Sequence, residues 1–168
     1  MNGANLILIA LAVPLAGAAA IVASRLRPNL RESTTLLCAC ALFGCVALLV
    51  PLVLAGGRPE LVVLEVLPGL AIAFRVEPLG MLFAGIASTL WIVNSVYSIG
   101  YMRGNQEQHQ TRFYVCFALA LFAVMGVAFS ANVFTLFIFY ELLTLVTYPL
   151  VTHHGSIEAR NGDRKSVV

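Results

Sequence analysis

The residue of this sequence best suited to chemistry is Glu141, an acid near the middle of an apolar stretch that covers residues 132–151. If the stretch is helical, each end lies about 15 Å from the carboxyl, because a helix rises about 1.5 Å per residue. A bilayer core is about 30 Å thick, which puts Glu141 near the midplane. A charge there costs at least about 2.5–3.5 kcal/mol on insertion scales. We therefore expect this carboxyl to be paired, protonated or part of an ion path.

Polar groups accompany Glu141 on the same predicted helix face. At helical spacing this face also holds Phe137, Thr144, Leu145 and Tyr148. Thr144 and Tyr148 are able to bond a carboxyl or to order a water molecule. Pro149 has no N–H to donate to the carbonyl of Leu145, which leaves that oxygen available one turn from Glu141. We predict a hydrated proton-translocation site with Thr144 and Tyr148 as supporting groups; the alternative is a protonated Glu141 that bonds a neighbouring helix and holds the two together.

A proton-carrying acid needs a cation whose approach changes its proton affinity. The five predicted spans contain no Lys, Arg or His. The partner of Glu141 is therefore expected outside these spans, in another segment or another subunit.

The composition indicates an all-α integral membrane protein. Of the 168 residues, 60% are hydrophobic and only 11% are charged, whereas about a quarter are charged in soluble domains. We predict a transmembrane domain over residues 1–155 and a polar cytoplasmic tail over 156–168. The five predicted transmembrane helices cover about residues 6–23, 34–55, 79–101, 113–130 and 132–151.

The segment between the second and third helices is not predicted to span. Two seven-residue runs rich in Val, Ile and Leu, 61–67 and 70–76, flank Pro68 and Gly69. Pro-Gly favours a type II turn, and strands this short do not cross a bilayer. We predict a short hairpin or an interfacial segment. Only residues 130–132 separate the last two helices, which must then lie antiparallel and adjacent.

The basic residues predict the orientation. Eight of the ten Lys and Arg residues fall in the first loop, the third loop and the tail. The positive-inside rule places these parts in the cytoplasm and the N-terminus outside.

The remaining candidate residues have mainly structural interpretations. The cysteines are predicted to pack between helices, with a metal or redox site as the alternative: Cys38, Cys40, Cys45 and Cys116. Glu77 is predicted to be an interfacial acid and Arg103 a membrane-surface anchor. His153 and His154 belong to the tail, with proton entry as the alternative role. No phosphate-binding glycine loop, metal-ligand spacing or nucleophile elbow is present in the sequence, so we predict neither enzyme chemistry nor a cofactor.

Three blocks in order resemble the antiporter-like membrane subunits of Mrp-type cation/proton antiporters, respiratory complex I and membrane hydrogenases. They are FRVEPLGMLF from Phe74, YSIGYMRG from Tyr97, and the long block that runs from Arg112 to Gly155 and includes FYELLTLVTYPLV. The last string looks closest to the D subunit of the Mrp type. The resemblance covers about residues 74–160 and fits the family's N-terminal portion.

The resemblance implies a function and partners. In that family the acid of the fifth helix, here Glu141, handles protons and pairs with a lysine on a later helix, beyond residue 168. The chain is then expected to be the N-terminal portion of a subunit that moves protons and Na⁺ or K⁺ across a bacterial inner membrane, among other membrane subunits. The alternative is a truncated or structural subunit of a complex I-like NADH dehydrogenase or membrane hydrogenase, without a proton path of its own.

Overall fold

A computed structural model of the chain describes residues 2–105 and 110–151. Its elements are, in order, α1 (Gly3–Ala23), α2 (Pro28–Leu54), β1 (Glu60–Leu67), β2 (Leu70–Arg75), α3 (Pro78–Gly104), α4 (Gln110–Ala128) and α5 (Val133–Val151). Within these residues, five helices are long and apolar enough to cross a membrane. The fold class predicted from the sequence is therefore confirmed: a multi-pass, all-α membrane protein with a small hairpin between the second and third helices.

Two helices extend beyond the predicted spans into charged sequence. α2 begins at Pro28 rather than near Thr34, and α3 continues to Gly104. Both begin with proline in the first turn, where the fixed φ angle suits a helix and the missing N–H is not needed. As a result Arg31, Glu32 and Arg103 lie within helices rather than in loops.

The first four helices form one bundle, and α5 is attached to its side. α1 packs against α2 and α4, and α3 packs against α2 and α4. Large buried side chains fill the interior: Ile7, Ile21, Leu42, Leu49 and Met125. α1 and α2 approach closely at Gly17, where a Cβ atom would lie 2.8 Å from the Sγ of Cys38. α5 packs against α4 and β2.

The predicted hairpin is present. β1 and β2 pair antiparallel, with Leu67 opposite Leu70 at the turn. Gly69 has a φ angle of +83°, a conformation that glycine adopts without steric cost. Two ion pairs brace the open end, one between Arg75 and Glu60 (2.5 Å) and one between Arg58 and Glu77 (3.1 Å). Glu77 thus stands just before α3, as an exposed acid at the start of the helix.

Candidate functional site

The N-terminus of α5 is fixed by Asn132. Its side-chain oxygen accepts a hydrogen bond from the backbone N–H of Thr135 (2.8 Å), and its side-chain nitrogen donates to the carbonyl of Ala71 on β2 (2.8 Å). The first bond caps the helix by satisfying one of its unpaired N–H groups. The second joins that cap to the hairpin.

The hairpin also holds the turn that precedes α5. Arg75 N–H donates to the carbonyl of Phe129 (2.7 Å), and Ala131 N–H donates to the carbonyl of Ala73 (3.0 Å). Ala73 N–H in turn donates to the hydroxyl of Thr135 (3.0 Å), which is fully buried. The turn therefore lies along β2 like a short extra strand, and the position of α5 follows from the hairpin.

The contact between the ring of Phe139 and Gly126 sets the rotation of α5 about its axis. The ring of Phe139 occupies the space where a Cβ atom of Gly126 on α4 would stand. The same ring meets Phe74 and Phe122 edge-on, with both centroid distances at 5.4 Å. Edge-on aromatic pairs are favourable beyond the area they bury. Only glycine at position 126 leaves room for this arrangement.

The seating of Phe139 directs Glu141 away from the bundle. Glu141 follows Phe139 by two residues, which is a rotation of about 200° around a helix. The structure accordingly places the Glu141 side chain on the exposed face of α5. The other residues predicted for this face are exposed as well: Phe137, Thr144, Leu145 and Tyr148. We call this set the Glu141 face.

The predicted supporting groups share this face, but Thr144 bonds its own helix. Its hydroxyl donates to the carbonyl of Tyr140 (3.1 Å). Within residues 2–105 and 110–151, Glu141 forms no hydrogen bond or ion pair. The structure places Glu141 near the middle of α5, which runs from Val133 to Val151. The expectation that its counter-charge comes from outside these helices stays a prediction. His153, His154 and the predicted tail over 156–168 lie outside the described residues.

A second charged site, which was not predicted from the sequence, lies at the end of the bundle away from the hairpin, near the N-terminus of α2 and the C-terminus of α3. Arg103 holds the carboxylate of Glu32 with two hydrogen bonds, from Nε (3.1 Å) and from Nη2 (2.5 Å), and Nη2 also donates to Asn29. Glu32 is 5% exposed. The interpretation of Arg103 as a membrane-surface anchor was therefore incomplete, because the Arg103 side chain also joins α3 to a buried acid, Glu32, on α2.

Arg31 extends this site to α4. Its guanidinium donates to Thr111 (3.1 Å) and Gln110 (2.6 Å), lies 5.3 Å from the ring centroid of Tyr114, and is 3.7 Å from Glu32. Cation–π contacts at this distance are attractive. We call Arg31, Glu32, Arg103, Gln110 and Tyr114 the Glu32 cluster. A signal existed in the sequence, since Arg31 continues a helical stripe of buried positions through Thr35, Ala39, Leu42 and Val46.

The cysteines do not come together as a metal site. All four are free thiols on α2 or α4. Among the residues for which positions are given, no group of three or more His, Cys, Asp or Glu side chains could hold a metal ion. The contact of Cys38 with Gly17 agrees with the packing interpretation.

Comparisons with known proteins confirm the resemblance found in the sequence. The chain is 29% identical over 100 residues to NAD(P)H-quinone oxidoreductase subunit 5 of the Paulinella chromatophora chromatophore, covering 59% of this chain and 15% of that protein. It is 30% identical over 101 residues to the A1 subunit of a Na⁺/H⁺ antiporter of Staphylococcus aureus, covering 60% of this chain and 12% of the relative. The A/B subunit of a probable K⁺/H⁺ antiporter of Rhizobium meliloti is 27% identical over 100 residues, 59% of this chain and 10% of its own length.

The fold has a counterpart among solved structures. A chain of the membrane-bound sulfane sulfur reductase, an archaeal respiratory membrane complex, superposes with a TM-score of 0.72 at 17% identity, covering 85% of this chain and 22% of that one. No family profile matches the sequence. The chain thus spans a small part of the length of every relative named here, and its likeness is to membrane subunits of antiporters and quinone oxidoreductases.

Proposed function

We propose that this chain is the N-terminal portion of a subunit that moves protons and a monovalent cation, Na⁺ or K⁺, across a bacterial inner membrane. Glu141 is the proton-translocating residue in this proposal, and Thr144 and Tyr148 support it. The subunit works within an assembly of other membrane subunits, and any redox chemistry of that assembly lies in its partners. The N-terminus faces outward and the tail lies in the cytoplasm.

One observation carries the proposal, namely the placement of Glu141. An acid in the middle of an apolar helix is costly unless a partner or water meets it, and such residues in membrane proteins commonly belong to ion paths. Phe139 packs against Gly126 of α4, and the Glu141 side chain lies on the exposed face of α5. The Glu141 face is then available to a basic group from outside the described chain.

The D subunit of an Mrp-type antiporter is the narrower proposal, because FYELLTLVTYPLV resembles that subunit most. The similarity to the A1 and A/B subunits of antiporters supports cation exchange in the same general class. The second candidate is a structural subunit of a complex I-like NADH dehydrogenase or membrane hydrogenase without its own proton path. The similarity to a quinone oxidoreductase subunit 5 favours this candidate.

The test is Glu141→Gln in the chain assembled with its native partner subunits in sealed vesicles. Cation-driven proton movement is followed with a pH-sensitive dye, and we expect a loss of at least about tenfold, because general acid–base groups contribute about 10²–10⁴-fold to proton transfer. Glu65→Gln is the matched control, since Glu65 is an exposed acid on the hairpin. Native gels must show equal assembly for both variants. Wild-type transport by fully assembled Glu141→Gln would favour the structural candidate and end the proposal.

A further inference from the structure

An open apolar groove of about 570 Å³ runs between α2 and α3, and we call it the α2–α3 groove. Its volume falls in the range of ligand sites, about 300–1,000 Å³. Among the described residues that line it, only Thr89 has a polar side chain, and the Thr89 hydroxyl donates to the carbonyl of Gly85 on its own helix (2.8 Å). An occupant of the groove therefore meets apolar surface along its length.

The depth of the groove matches one leaflet of a bilayer. Along α3 its lining runs from Pro78 to Leu90, and along α2 from Leu54 back to Phe43. By helical rise these stretches are about 18 Å and 17 Å long, whereas one leaflet contributes about 15 Å to a hydrocarbon core of about 30 Å. Leu90 directly precedes Trp91, the middle residue of α3. The groove thus begins at one end of the span and stops near mid-depth, which suits an acyl chain better than a helix that crosses the whole core.

An ion pair stands at the end of the groove that faces the hairpin. Nε of Arg58 donates to Oε2 of Glu77 (3.1 Å), and Nη1 of Arg58 donates to the carbonyl of Val53 (3.4 Å). Val53 lines the groove, and so does Pro78, which follows Glu77 in the chain. Arg58 and Glu77 therefore lie where α2 ends and α3 begins, beside the first lining residues of the groove.

This ion pair retains binding capacity on the outside. The side chains of Arg58 and Glu77 are 37% and 50% exposed. Within residues 2–105 and 110–151, Nη2 of Arg58 and Oε1 of Glu77 form no hydrogen bond. The guanidinium group only donates, and an ionised carboxylate only accepts. The pair thus offers one site for an anion and one for a cation with N–H groups, and it has no net charge.

We propose that the α2–α3 groove binds one phospholipid with an ethanolamine headgroup. Its acyl chain lies along the groove, its phosphate accepts a hydrogen bond from Arg58, and its ammonium group donates one to Glu77. Such charge-assisted hydrogen bonds are the stronger ones. A choline headgroup has no N–H to donate, and a glycerol headgroup has no positive charge. The proposal does not depend on the role of Glu141.

The test is native mass spectrometry of the full chain in detergent micelles. The chain is titrated with phosphatidylethanolamine, phosphatidylcholine and phosphatidylglycerol of identical acyl chains. We expect one saturable site that favours phosphatidylethanolamine by about twofold to fivefold, since partly exposed ion pairs contribute modestly. Equal affinities, or a preference for either of the other two lipids, would overturn the proposal. Absence of saturable binding for all three would also overturn it and leave the groove to a partner helix.

Gly85→Leu tests the place of the acyl chain. No atom lies within 4 Å of a Cβ added at Gly85, so the new side chain enters the groove without displacing another residue. We expect the saturable site to be lost. Gly100→Leu is the matched control, because Gly100 is on the same helix, is equally free of neighbours and does not line the groove. Binding at the wild-type level in Gly85→Leu would contradict the proposal.

Glu77→Gln tests the headgroup. The Glu77 side chain makes no capping hydrogen bond to α3, so the start of the helix does not depend on its charge. We expect the affinity for phosphatidylethanolamine to fall to that for phosphatidylcholine, with the saturable site retained. Glu60→Gln is the matched control, because Glu60 is an exposed acid paired with Arg75 and does not line the groove. An unchanged headgroup preference in Glu77→Gln would refute the assignment of the ammonium group to Glu77.

Discussion

Two acids lie on long apolar helices, and they differ in burial and in their hydrogen-bond partners. Glu32 is buried on α2 and receives two hydrogen bonds from Arg103, with Arg31 beside it. Glu141 lies on the exposed face of α5, and no described residue of the chain pairs with it. A buried charge that is satisfied within its own chain serves to join helices. Glu141, by contrast, contributes no described bond between helices, and its role as a proton-translocating residue is the proposal made above.

The largest expected effect follows from removing the acid that is paired. Glu32→Ala leaves Arg31 buried without a counter-charge, and breaking a buried ion pair from one side costs about 3–5 kcal/mol. We expect a loss of that size in the free energy of unfolding, measured by denaturant titration of the chain in mixed micelles. Glu65→Ala, an exposed hairpin acid, should change it by no more than about 0.5 kcal/mol. If Glu32→Ala changed the free energy of unfolding as little as Glu65→Ala is expected to, the Glu32 cluster would not stabilise the fold.

A smaller effect is expected at the contact that turns Glu141 outward. Gly126→Ala places a methyl group in the space of the Phe139 ring, and overpacking costs about 1–3 kcal/mol. The same change in a Phe139→Ala background should add nearly nothing, which a double-mutant cycle measures. Gly44→Ala is the control, because no atom lies within 4 Å of its added Cβ; it should be neutral or slightly stabilising. Additive effects of the two substitutions on the free energy of unfolding would show that Phe139 and Gly126 are not in direct contact.

The smallest effect is expected at the unpaired acid. In the isolated chain, Glu141→Gln should change the free energy of unfolding by no more than about 0.5 kcal/mol, because the side chain is exposed and forms no hydrogen bond or ion pair with a described residue. The same denaturant titration checks this, with Glu32→Gln as the contrasting variant. If Glu141→Gln destabilised the isolated chain as strongly as Glu32→Gln does, Glu141 would also be needed for the stability of the fold, which contradicts the expected difference between the two acids.

Local patterns in the sequence were sufficient to predict much of this architecture. Uninterrupted apolar runs indicate the helices, and Pro68-Gly69 between two Val-, Ile- and Leu-rich runs indicates the hairpin. The i, i+3, i+4, i+7 spacing places Thr144 and Tyr148 beside Glu141 on one face, as the structure shows. These features depend on residues close together in the chain.

Features that depend on distant residues were not predictable in this way. Arg103 and Glu32 are separated by 71 residues, and each alone looks like a loop charge at the end of an apolar run. Their pairing allows both helices to extend past the predicted spans. The bond from Thr144 to Tyr140 was also missed, because a hydroxyl on a helix has both its own backbone and a neighbour as acceptors. The assignment of Thr144 and Tyr148 as supporting groups stays a prediction.

The packing of Phe139 against Gly126 predicts how α5 responds to the insertion of a residue. An insertion of one residue between Phe139 and Glu141 would leave the ring in place but swing the carboxyl by about 100° around the axis of α5. The helix would remain intact and equally apolar, but the Glu141 carboxyl would point toward a different side of α5. The two-residue interval between these positions therefore determines the direction of the Glu141 carboxyl about the helix axis, as long as Phe139 stays packed against Gly126.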